Sequence, residues 1–148
     1  MEKKIKPTLG ISTSPQDMNS RSRAERTESS RPATILVVDD EDHIRRLYEK
    51  ELSEEGYQVR TATTGEEAVR LAESQPPDLV ILDIKLEDQD GLEILGDLKR
   101  ISQNTPIILN SAYSTYKSDF QSWLADAYLV KSPNLDELKK KIKELVNL

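Results

Sequence analysis

Short apolar runs recur along this chain, each followed by a stretch of helical periodicity, and that rhythm constrains the fold more than any other feature. Thr34–Val38 (TILVV) reads as a strand buried on both faces. Ile44, Leu47, Tyr48 and Leu52 then recur at helical spacing, and Gly56 stands where a helix stops. A second strand is predicted over 57–62. Thr64-Gly65-Glu66-Glu67 is a capping box, the threonine side chain accepting from free helix amides while Glu67 reaches back. The helix it opens buries Ala68, Leu71 and Ala72 and stops before Pro76-Pro77. Leu79–Leu82 is a third strand, followed by a polar loop to Asp90 and a helix from about Gly91 that carries Leu92, Leu95 and Leu98 on one side. A fourth strand is predicted over 106–109, a weaker helix over 114–124 and a fifth strand over 127–130. The final helix follows Asn134, with Glu137 completing a second capping box. Leu135, Leu138, Ile142 and Leu145 form its apolar stripe, and Lys139, Lys140, Lys141 and Lys143 cover its solvent side.

This is (βα)5, an α/β pattern. Strands lacking polar alternation, each followed by a helix, imply a parallel sheet covered on both faces. Right-handed crossovers then favour a doubly wound five-stranded parallel sheet, with the ligand site beyond the strands' C-terminal ends.

Composition sets the outer bounds. The chain has 148 residues and a net charge of −6, unevenly spread. Residues 1–32 hold seven basic and four acidic side chains, three prolines, nine Ser/Thr and no aromatic residue. So little apolar surface cannot offset the entropy of ordering, which predicts a disordered polar tail over 1–32 and a folded domain over 33–148. The remaining 14 basic and 23 acidic side chains give that domain a balance of −9. DNA binding is therefore not expected, because phosphate contacts need a basic face. Having no Cys excludes a disulfide scaffold, a Cys-based zinc site and a thiol nucleophile. No apolar run approaches a membrane span, and none follows Met1-Glu2-Lys3-Lys4 as a secretory signal requires, so a cytoplasmic protein is expected. His43, the only histidine, sits among charges on an early helix turn and reads as solvated surface.

The chemistry lies at the strand ends. Asp39-Asp40 follow the first strand, Asp83 the third, Asn110-Ser111 the fourth and Lys131 the fifth. Carboxylates gathered on one rim repel unless neutralised, and oxygen-rich acidic pockets suit Mg2+, which takes one or two carboxylates, several waters and phosphate oxygens. A hydroxyl and an ammonium suit the remaining oxygens of a phosphoryl group. The combination reads as a magnesium-assisted phosphoryl site. Taken singly, Asp39 or Asp40 is as well explained as a helix N-cap, Ser111 as a partner for loop amides and Tyr128 as a core aromatic.

Taken together, residues 35–41 (ILVVDDE), 79–83 (LVILD), Asp90-Gly91, 107–112 (IILNSA) and 127–131 (AYLVK) resemble the receiver domain of two-component response regulators over about 33–147. The resemblance implies a flavodoxin-like receiver fold and a phosphoacceptor signalling module, one that catalyses its own phosphorylation and dephosphorylation rather than a conventional enzyme. It makes Asp83 the phosphoacceptor, which attacks a phosphohistidine on a sensor histidine kinase or histidine phosphotransfer protein. Asp40, Asp83 and the Lys85 backbone carbonyl would ligate Mg2+, with Asp39 helping through a metal-bound water. Lys131 would pair with the phosphoryl group, and Ser111 would move to hydrogen-bond it. Tyr128 matches the switch aromatic that turns inward when the hydroxyl residue shifts. That couples the chemistry to the face made by the helix at 114–124, the fifth strand and the final helix. No linker or DNA-binding motif follows the last helix, so the resemblance implies a stand-alone receiver acting on a downstream protein target, with phosphorylation-dependent dimerisation open. Tyr113, Tyr116, Phe120 and Trp123 cluster before and along the fourth helix, divided between core and a partner-docking patch.

Three positions depart from that family. Its proline four residues after the acceptor is here Glu87, which adds negative charge to the loop. Its Lys-Pro pair, often joined by a cis bond, is Lys131-Ser132-Pro133. A non-proline cis bond costs about 3–4 kcal/mol against about 1 or less for X-Pro, so the loop either carries that strain or places Lys131 by another route. Lys85 and Tyr113 stand where the family tunes water's attack on the acyl phosphate. A long cation and a ring there obstruct in-line attack, which predicts slow self-dephosphorylation. Two rivals stay open: a Mg2+-dependent phosphohydrolase, which would want an acid/base Asp where Lys85 stands, and a receiver-like scaffold that is never phosphorylated.

Overall fold

The apolar runs become the middle of a sheet. In the computed structural model, which describes residues 31–86, 90–112 and 124–147, the strands are β1 (Thr34–Val38), β2 (Gln58–Ala62), β3 (Leu79–Leu82), β4 (Ile107–Ser111) and β5 (Ala127–Val130). They run in the order β2-β1-β3-β4-β5, and every pairing is parallel. The three central strands are buried along their whole length. Each edge strand buries a single residue, Ala62 in β2 and Leu129 in β5.

The helices α1 (Asp42–Glu54), α2 (Gly65–Ser74), α3 (Gly91–Ile101) and α4 (Asp136–Val146) cover both faces. Alternation along each strand divides the core. Leu36, Val38, Val80, Leu82 and Leu109 pack with Ala68 and Ala72 of α2 and Leu95 and Leu98 of α3. Ile35, Val37, Ile81, Ile108 and Leu129 pack with Tyr48 and Leu52 of α1 and Leu138 and Ile142 of α4. Strands sandwiched in this way have no polar face, which is why their sequences show no alternation.

The helix ends follow local chemistry, with two corrections. Gly56, at φ +98°, ends α1 in the left-handed region where a side chain is strained, and the Tyr57 amide donates back to the Leu52 carbonyl at 3.2 Å. Thr64 Oγ1 accepts from the Glu67 amide at 3.1 Å, and Glu67 returns to the Thr63 amide at 2.9 Å, so the first capping box closes one residue early. The second box does not form. The Asn134 amide donates to the Ser132 hydroxyl at 3.2 Å instead of Glu137, while Asn134 Oδ1 accepts from the Asp136 amide at 2.8 Å. Leu47 faces solvent rather than the core, because Tyr48 and Leu52 take the stripe that meets the sheet. Lys139 is not a solvent-side lysine; it crosses to Glu51 on α1 at 2.8 Å. The fourth strand runs two residues further than its apolar run, through Asn110 and Ser111. Residues 1–30, Glu87, and the segment 113–123 with Tyr113, Tyr116, Phe120, Trp123 and most of the weaker helix lie outside the described residues. Among the described residues, no helix is long and apolar enough to cross a membrane.

Candidate functional site

Strand register gathers the carboxylates. β1 pairs with β3 so that Val38 stands opposite Leu82, and the next residues, Asp39 and Asp83, emerge side by side. β1 leads outward to β2, and the chain returns on its other side to β3, so the order reverses here and no connection crosses the crevice. Backbone bonds hold the strand ends: the Asp83 amide donates to Val38 at 2.9 Å and the Asp39 amide to Ala62 at 3.1 Å. Asp39 and Asp83 are only 3% and 6% exposed. One carboxylate oxygen from each of Asp39, Asp40 and Asp83 lies within 4.8 Å of the others. Three hard oxygen donors so close, two of them buried, fit a divalent cation such as Mg2+, which offsets their repulsion.

Lys131 supplies a counter-charge from the chain itself. From the end of β5 its Nζ lies 2.7 Å from Asp39, 3.1 Å from Asp83 and 3.5 Å from Glu41. Its amide donates to the Ser111 carbonyl at 2.7 Å, extending the β4–β5 ladder by one step. No peptide bond among the described residues is cis, so Lys131-Ser132 is trans and the lysine arrives without that strain. Burial pushes the Asp83 carboxyl up to about 6; Lys131 pulls it down and Asp39 pushes it up, since one ammonium shared by two buried carboxylates cannot neutralise both. Burial works against the Lys131 charge, but its bonds to Asp39 and Asp83 outweigh this and hold its pKa above the usual lysine range.

The other candidates fall around this cluster. Ser111 is fully buried at the end of β4. Tyr128 is half-buried and packs against the core on the α2–α3 side, a position open to both the switch and the core role. Lys85 is exposed; its amide donates to Asp83 Oδ1 at 3.3 Å, and it stands opposite Asp90 in an isolated antiparallel bridge. Beside that bridge the Gly91 amide donates to the Ile84 carbonyl at 2.6 Å. Tyr113 is outside the described residues. Neither Asp39 nor Asp40 caps α1 in the ordinary sense: the N-cap is Glu41, whose amide donates to Asp39 Oδ1 at 2.9 Å. His43 is exposed, as its neighbours imply.

Three contributors were given no role at the site by sequence reasoning. Glu41 is a third carboxylate beside Lys131. Arg45, one turn into α1, donates to the Asp39 carbonyl oxygen at 2.8 Å and pairs with Asp42, pinning the loop that carries two of the carboxylates. Its i,i+3 spacing from Asp42 was the available signal. Gly91 lets the loop double back: a Cβ there would lie 2.2 Å from the Asp83 carbonyl oxygen.

The residues 35–143 match a family model, the response regulator receiver domain. The chain is similar to the response regulator protein TrrA of Thermotoga maritima, solved in complex with Mg2+-BeF, at 52% identity and a TM-score of 0.74 over 76% of this chain and 98% of that one. TrrA has also been solved with the histidine kinase ThkA (TM-score 0.72, 76% and 97% covered). It is 40% identical to the transcriptional regulatory protein KdpE of Mycobacterium tuberculosis over 76% of this chain and 50% of KdpE. It is 34% identical to sporulation initiation phosphotransferase F of Bacillus subtilis over 77% of this chain and 94% of that protein. Against several of the curated relatives it matches, the chain spans only a quarter to about half of their length.

Proposed function

Since the chain belongs to the response regulator receiver domain family, we propose that it is the phosphoacceptor of a two-component or phosphorelay pathway and that Asp83 takes the phosphoryl group. One observation carries this: a buried carboxylate whose proton leaves near pH 6, with an ammonium 3.1 Å away and two further carboxylates within metal-sharing distance. At neutral pH Asp83 is largely ionised, as a nucleophilic carboxylate must be.

As an Asp83 oxygen bonds to phosphorus, the bond from phosphorus to the donor's leaving atom breaks, and the leaving group picks up a proton. Lys131 then meets the phosphoryl oxygens and loosens from Asp39. A Mg2+ held by Asp40, Asp83 and the Lys85 carbonyl, with Asp39 through a water, would offset charge on the transferring oxygens. Ser111 serves as the hydroxyl that follows the phosphoryl group, and Tyr128 as the ring that turns with it, altering the surface of β5 and α4 for a downstream protein. Lys85 and Tyr113 shield the acyl phosphate and lengthen its lifetime. The receiver unit is taken as 33–148 with 1–32 as its tail, which the family match over 35–143 supports. The TrrA complex with a kinase supports a sensor histidine kinase or histidine phosphotransfer protein as donor; we place the encounter in the cytoplasm, as expected from the sequence.

The test is incubation with Mg2+ and a small phosphodonor, read by intact mass. One added phosphoryl group, absent in Asp83→Asn, is the expected result. Continuous turnover of phosphomonoesters would favour a hydrolase instead, and no adduct from either a small donor or a partner kinase would favour a scaffold.

A further inference from the structure

Asn110 interrupts an apolar strand. By alternation it shares the face of Ile108, which packs with α1 and α4. Tyr48 comes to it from α1, and the hydroxyl oxygen accepts a hydrogen bond from Asn110 Nδ2 at 2.5 Å, with the two residues 2% and 3% exposed. α1 rests on β1 and β2, and β3 stands between β1 and β4. The bond therefore spans the sheet beneath the strand that ends in Asp83.

Its two ends reach the two halves of the rim. Asn110 is followed by Ser111, whose carbonyl holds the Lys131 amide at 2.7 Å. Tyr48 lies on the helix whose Arg45 holds the Asp39 carbonyl at 2.8 Å. A satisfied buried polar pair contributes little net stability compared with apolar groups of the same shape, so packing alone does not account for it. A crevice of about 10 Å3, room for one water, adjoins the pair beneath Ser132 and Asn134. The β4–β5 ladder and this hydrogen bond together locate the end of β4, the ladder from one side and the bond from α1. The phenol is also within reach of the site's charges: burial raises its pKa, the Asn110 bond lowers it, and Lys131, Asp39 and Asp83 all act on it.

Building on the phosphoacceptor reading, we propose that Tyr48 and Asn110 are positioning residues whose buried bond keeps Ser111 and Lys131 aligned with the three carboxylates while Lys131 changes partner from Asp39 to the phosphoryl group. The test is the double variant Tyr48→Phe/Asn110→Leu in the full chain, which removes both polar partners and leaves neither unpaired. Expected are a thermal midpoint at or above that of the unaltered chain, unchanged Mg2+ affinity and unchanged KM for a small phosphodonor. The rate of phosphoryl uptake at saturating donor should fall by about threefold or more, since misalignment of reacting groups acts on that rate. A smaller loss, or a parallel loss of Mg2+ affinity, overturns the proposal. Should the double variant not fold, Tyr48→Phe alone is read by the same rate, KM and Mg2+ criteria, with a lower thermal midpoint expected because Asn110 Nδ2 is left unpaired. An unaltered chain that takes up no phosphoryl group defeats the phosphoacceptor reading itself, a result distinct from either.

Discussion

Asp83 carries a conflict that its neighbours only partly resolve. It is buried beside Asp39 and shares one ammonium with it, so its carboxyl titrates near 6 instead of near the ordinary aspartate value of about 3.9. A carboxyl whose folded pKa is raised favours folding fully below the unfolded pKa, and that contribution is lost as pH rises through about 6. Metal-free Asp83→Asn should therefore be more stable than the unaltered chain at pH 7.5, with the gap closing toward pH 4; urea titrations across that range measure it. Because the proton competes with metal at Asp83, Mg2+ affinity should also fall as pH drops below 6, by calorimetric titration. Gly91 makes a steric demand of the opposite kind. Gly91→Ala sets a methyl 2.2 Å from the Asp83 carbonyl oxygen, and backbone cannot yield as a side-chain tip can. A loss of about 1–3 kcal/mol in stability is expected, along with weaker Mg2+ binding. The three aspartates and Lys131 were legible because each ends a strand in an α/β pattern. Glu41, Arg45 and the Tyr48–Asn110 bond were not, because helix rotation and cross-sheet distance decide which polar side chains meet.

At the scale of elements, the sequence signals were sound wherever the partner of each group is local. The Thr64 cap and the Gly56 stop involve residues within a turn of each other. The start of α4 has the same motif on paper, yet Ser132 captures the amide that Glu137 was expected to take. Ser132→Ala should accordingly cost about 0.5–1.5 kcal/mol, whereas Glu137→Ala should stay within about 0.5 kcal/mol. Denaturant midpoints of the two variants decide between the capping schemes. The same Ser132 stands where the family has proline, and its hydroxyl turns the chain into α4 behind a trans Lys131-Ser132 bond. Lys139 shows the limit of a helical wheel: it lies on the stripe's border, and only the packing of α4 beside α1 turns it toward Glu51, whose carboxyl it holds below the usual range through a hydrogen bond.

For the whole molecule, the site is a joint between halves that separate parts of the chain supply: β1 and β3 provide the acids, β4 and β5 the hydroxyl and the ammonium. A ligand that bridges the acids should stabilise the entire fold. At Mg2+ about 100 times its Kd, stability should rise by about 2.7 kcal/mol, seen as a higher thermal midpoint. Asp40→Ala should abolish most of that gain, since it removes one of the three clustered oxygens. The sequence by itself determined the five parallel strands, the order of strand and helix, and the residues at each strand's end, because hydrophobic periodicity and end signals are local properties. Tertiary structure alone decided that Lys131 divides its charge among Asp39, Asp83 and Glu41, that Gly91 must lack a side chain, and that Tyr48 reaches Asn110 across the sheet. The ion pairs and the Tyr48–Asn110 bond depend on register between segments 48 to 92 residues apart, and the Gly91 contact on how a loop of eight residues doubles back on Asp83. No local pattern encodes them; they are set when the sheet closes and the buried polar groups must find partners.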